Sequence, residues 1–155
     1  MAMHTWFECK IRYEKVMENG MQKKVTEPYL VDALSFTEAE ARIIEEMTPF
    51  ISGEFTVSDI KRANYSELFP SDEESADRWF KCKLIFITLD EKSGAEKKTS
   101  TQVLVQAADL RDAVKKLDEG MKGTMADYQI GMVSETPLMD VYPYSAEPND
   151  KPEFD

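Results

Sequence analysis

Apolar and polar residues alternate over residues 6–16, with Phe7, Cys9, Ile11 and Tyr13 on one side and Trp6, Glu8, Lys10 and Arg12 on the other. A period of two predicts a half-buried β-strand. Glu18-Asn19-Gly20 then reads as a hairpin turn, because Asn and Gly accept positive φ. A second strand is predicted from about Gln22 to Ala33, and Pro28, which cannot donate to a ladder, marks an edge position or a bulge. The period changes at Ser35. Phe36, Ala39, Ile43, Ile44 and Met47 recur at helical spacing, Ser35 and Glu38 have the spacing of a capping box, and Pro49 ends the run. Phe55, Val57 and Ile60 predict a third strand.

The whole pattern then returns. Trp6-Phe7-Glu8-Cys9-Lys10 recurs as Trp79-Phe80-Lys81-Cys82-Lys83, and Glu67-Leu68-Phe69-Pro70 as Asp140-Val141-Tyr142-Pro143. Between these anchors Lys23-Lys24 meets Lys97-Lys98, Leu30-Val31 meets Leu104-Val105, and Ile43 meets Leu117. Asp109 and Asp112 take the capping places, and Tyr128, Ile130 and Val133 the third strand. The expected fold is α+β: an internal duplication of a strand–strand–helix–strand unit, with antiparallel sheets each backed by one helix and a pseudo-twofold relation. The repeats are expected at residues 6–70 and 79–143, joined by an acidic linker at 71–78 and followed by a disordered acidic tail at 144–155. Phe7, Cys9, Ile11, Phe36, Ile43, Phe80, Cys82, Leu84, Leu117 and Ile130 are expected in the core, with Lys10, Arg12, Lys81 and Lys83 exposed.

Length supports one body. A chain of 155 residues can bury about 68–70% of its unfolded surface, whereas a single repeat would be marginal. No apolar run approaches the roughly 20 residues of a membrane span, and Met1-Ala2-Met3-His4-Thr5-Trp6 lacks the form of a secretory signal, so a cytoplasmic protein is expected. The two cysteines fall on the apolar side of equivalent strands and read as buried free thiols.

The opening stretch from Trp6 to Met47, WFECKIRYEKVMENGMQKKVTEPYLVDALSFTEAEARIIEEM, resembles an uncharacterised domain family of Bacteroidetes and their bacteriophages, known as a domain of unknown function. The resemblance implies a bacterial or phage setting and supplies no catalytic or binding residues.

Charge adds the functional reading. The net charge is −11, yet residues 6–25 carry +2 and residues 78–98 carry +3, leaving −16 for the remainder. Strand alternation puts Trp6 with Lys10 and Arg12, and Trp79 with Lys81 and Lys83, on the face away from the apolar one. Together with Lys23, Lys24, Lys97 and Lys98 they suggest a platform for single-stranded nucleic acid, the tryptophans stacking bases and the cations following phosphates. A structural reading fits the same residues: lysines hinder edge-to-edge pairing, and tryptophans cap the core at strand starts. The alternative function is an acidic adaptor or nucleic-acid mimic that binds a basic protein partner through the body or the tail, where Phe154 and Asp155 are the candidate contacts. The chain has no Gly-rich phosphate loop, nucleophile turn or His/Cys cluster, so no enzyme, metal or cofactor is expected.

Overall fold

The computed structural model describes residues 5–124 and 127–143. The elements follow the order β1 (Trp6–Val16), β2 (Gln22–Asp32), α1 (Phe36–Met47), β3 (Phe55–Ala63), β4 (Glu67–Phe69), β5 (Arg78–Leu89), β6 (Glu96–Ala107), α2 (Leu110–Gly120), β7 (Tyr128–Glu135) and β8 (Asp140–Tyr142). The same five-element series therefore occurs twice, and the fold is α+β.

Local chemistry sets the boundaries. Gly20 and Gly94 take φ of 83° and 73° in the two hairpin turns, a conformation open to glycine because it has no Cβ. Both helices begin on reciprocal caps. Ser35 Oγ accepts from the Glu38 N–H at 3.1 Å, and Glu38 Oε1 accepts from the Leu34 N–H at 2.6 Å. In the second copy Asp109 Oδ1 accepts from the Asp112 N–H at 2.8 Å, and Asp112 Oδ2 from the Ala108 N–H at 2.9 Å. Each pair satisfies one N–H that the helix start leaves orphaned, at the third helical position, and one from the residue before the cap.

The strands form two four-stranded sheets, ordered β3-β1-β2-β8 and β4-β6-β5-β7. Three strands of each are antiparallel, as expected. The short acid-aliphatic-aromatic segment adds a fourth, parallel strand, so the sheets are mixed. Each short strand pairs in the sheet of the other repeat: β8 lies beside Tyr29–Val31 of β2, and β4 beside Val103–Val105 of β6. The compact units consequently differ from the sequence repeats. One holds the described residues up to Asn64 together with those from Leu138 onward, and the other is Tyr65–Pro137.

Each helix covers one face of its own sheet. Phe7, Cys9, Ile11, Val31, Ala33, Ala39, Ile43 and Met47 form the first core. In the second unit Cys82, Leu84, Val103, Val105 and Leu117 pack together, beside a cluster of Phe80, Ala107 and Ala113. Two expected core residues lie elsewhere. Phe36 is 47% exposed because it opens α1; its ring meets Phe7 edge-on at 4.9 Å, with the Arg62 guanidinium 5.9 Å away. Ile130 is 37% exposed, on an edge strand beside the bulge where β7 shifts register against β5. The linker also differs from a solvated stretch: Ala76 is buried, and Lys116 of α2 donates to Ser71 Oγ at 3.1 Å and Glu73 Oε1 at 2.9 Å.

Candidate nucleic-acid interface

Because side chains alternate along a strand, each sheet presents two chemically distinct faces. On the face away from the helix, Trp6, Lys10 and Arg12 share the first sheet, and Trp79, Lys81 and Lys83 the second. The tryptophans are 4% and 5% exposed. An open tryptophan platform is therefore corrected: both rings stand at the apolar end of that face, alongside buried Leu30 and Val141 in one sheet and Leu104 in the other. They cap the core.

The cations on this face are only partly free. Lys10 and Lys81 are half-buried rather than exposed, since β1 and β5 are inner strands flanked on both sides. Lys10 stands opposite Asp59, and Glu8 opposite Lys61, so charges alternate across β1 and β3. Arg12 and Lys83 are exposed, as are Lys23, Lys24, Lys97 and Lys98. Register divides each doublet: Lys24 and Lys98 share the tryptophan-bearing face, while Lys23 and Lys97 fall on the helix-bearing one. Phe154 and Asp155 lie outside the described residues.

The helix-bearing face holds a grouping that charge counting missed. β3 pairs with β1 only as far as Tyr13, and β7 with β5 only as far as Phe86. Beyond those points the hairpins are two-stranded ribbons, and the aromatic residues at the junction are half-exposed. In the first unit the Tyr13 and Tyr29 hydroxyls donate to Glu27 Oε1 at 2.9 and 3.3 Å. Tyr142 of β8 stacks on Tyr29 with centroids 6.1 Å apart and planes at 20°. Lys15 Nζ lies 3.7 Å from Glu27 Oε2, and Lys15 stands directly opposite Lys23 in the ladder. Like charges placed so are unfavourable, and an anion between them would relieve the repulsion. In the second unit Phe86 and Tyr128 sit 6.2 Å apart, with Lys97 on the same face farther along the ribbon. The signal in the sequence was the tyrosines ending the apolar alternation, where a purely structural strand could have carried aliphatic residues.

Titration follows from this geometry. Burial, then the Glu27 charge, pushes the Tyr29 hydroxyl well above its ordinary range, and burial with Asp140 and Glu46 pushes Tyr142 up to about 12. Burial with the Glu27 hydrogen bond also raises Tyr13. All three stay protonated donors near neutrality. Among the described residues no group of three or more His, Cys, Asp or Glu converges to hold a metal ion, and no helix is long and apolar enough to cross a membrane.

Comparison with curated proteins and with solved structures found no match. A family model described as a domain of unknown function, DUF4494, matches residues 5–144, and the chain belongs to that family.

Proposed function

We propose that this protein is a non-enzymatic binding protein for single-stranded nucleic acid, acting in the cytoplasm of a bacterial or phage-infected cell. The observation that carries the reading is the repeated junction of half-exposed aromatic rings with a lysine at the equivalent place on the second hairpin strand, Lys23 in one unit and Lys97 in the other. Rings offer faces to unpaired bases, each stack being worth about 1–3 kcal/mol, and lysines offer charge to phosphates. The stacking role moves from the tryptophans to Tyr13, Tyr29, Tyr142, Phe86 and Tyr128. Titrating the full chain with a labelled oligothymidylate should give affinity that falls as salt rises, with a slope of about −0.7 per phosphate contacted. Lys23→Ala with Lys97→Ala should flatten the slope by about two such contacts. Binding that is absent at low salt would end this reading.

One observation favours a second reading, the acidic adaptor. In the first unit Lys10, Lys24 and Lys61 on the tryptophan-bearing face stand opposite Asp59, Glu14 and Glu8, while −16 of charge lies outside the hairpins. A basic protein is the partner that such a surface attracts. A pull-down run with and without nuclease separates the two: a basic protein retained after nuclease, without oligonucleotide binding, selects the adaptor.

A further inference from the structure

β8 contributes three residues, too few for a ladder to hold alone, yet it brings Tyr142 onto Tyr29. Three features anchor it. The Met139 N–H donates to the Pro28 carbonyl at 2.9 Å, Val141 is buried, and Arg42 of α1 reaches across the end of the sheet. Its Nη1 donates to the Asp32 carbonyl that closes β2, and its Nη2 donates to the Pro143 carbonyl just after Tyr142, at 3.2 Å. A planar guanidinium suits this task, since its fixed fork can serve two carbonyls at once.

The second unit repeats the device with different chemistry. Lys116, the residue equivalent to Arg42, donates to Ser71 Oγ and Glu73 Oε1 just after β4. Asp112 Oδ2 lies 3.0 Å from the same ammonium. A helix cation at one position of the repeat thus holds, in both units, the segment delivered by the other repeat.

We infer that Arg42 is a positioning residue for the aromatic platform, and that occupancy of the platform is linked to docking of β8. This rests on the reading that the platform binds single-stranded nucleic acid. A base stacked on Tyr142 needs the docked strand, so ligand and latch favour the same state, and each strengthens the other.

The test uses the full-length chain and a labelled oligothymidylate. Arg42→Gln should weaken binding about tenfold while leaving the salt slope unchanged, because the guanidinium meets carbonyls rather than phosphates. Amide exchange at Val141 and Tyr142 should quicken in R42Q and slow in the wild type when oligonucleotide is added. Lys116→Ala should leave exchange at those two amides unaltered. Arg42→Lys, which keeps the charge without the fork, should recover part of the affinity. Unchanged affinity in R42Q, or a salt slope shallower by about 0.7, would overturn the proposal, the latter by making Arg42 a phosphate contact. If R42Q fails to fold, Tyr142→Ala decides: the latch remains and the ring is gone, so binding equal to wild type overturns the linkage. Wild-type protein that binds no oligonucleotide removes the platform reading and this inference together; binding without any change in exchange at Val141 and Tyr142 removes only the inference.

Discussion

Cys9 and Cys82 take equivalent places on the inner strands, each wholly buried against its helix. Burial, with smaller contributions from Glu8 and Asp59, pushes the Cys9 thiol up to about 12, and burial pushes Cys82 up to about 11. An unfolded chain releases these protons near pH 9.0. Below that pH both states are protonated and the thiols impose no pH dependence. Between about 9 and 11 the unfolded chain is ionised while the folded one is not, so stability falls as pH rises; once both folded thiols have titrated, their loss is complete. Denaturant midpoints should therefore drop from about pH 9, with the buried tyrosines adding to the fall as unfolded tyrosines ionise near 10.0, and Cys82→Ala should reduce the part of the drop nearest pH 9. A midpoint independent of pH over this interval would contradict the burial. At this scale the sequence was readable, since alternation alone put both thiols on the core side. Exposure was less so: Phe36 obeys the helical period yet stands at the first turn, where the sheet covers only one side of its ring.

At the level of elements, the contrast between Gly120 and Glu46 explains a residue choice that periodicity cannot. These are equivalent positions near the helix ends. A Cβ on Gly120 would stand 2.8 Å from the ring of Phe69, which β4 lays against α2. In the first unit Tyr142 is the ring so delivered, and Glu46 contributes its charge to that hydroxyl instead. Gly120→Ala ought to stabilise a helix by about 0.5–1 kcal/mol on propensity alone. Here it should destabilise, because the ring must shift to admit the methyl. Thermal melts of the full chain check the sign, and a rise in Tm would mean that Phe69 yields without cost. The caps lie at the other extreme, being fully local: Ser35 with Glu38, and Asp109 with Asp112, were legible because every atom involved lies within five residues.

For the whole molecule, the exchange of β4 and β8 makes each unit depend on residues from the other repeat. A chain ending at Pro137 would lose buried Leu138 and Val141 along with Tyr142 from the first unit, while every strand of the second remains. Its amides in β1, β2 and β3 should lose protection from exchange, with those in β5, β6 and β7 largely retained; equal protection in both sets would show that β8 adds nothing to the first unit. The sequence by itself determined the duplication, the period of every long element, the caps, the hairpin turns and the helix-facing core apart from Phe36 and Ile130, because each is written in spacings of a few residues. Tertiary structure decided which sheet receives Asp140–Tyr142, that Trp6 and Trp79 are buried, and that the tyrosines rather than the tryptophans meet solvent beside lysines. A three-residue strand carries no period that could name its partner. Whether a face is covered depends on chain far away in sequence, so alternation can assign a side chain to a face without saying what lies over it.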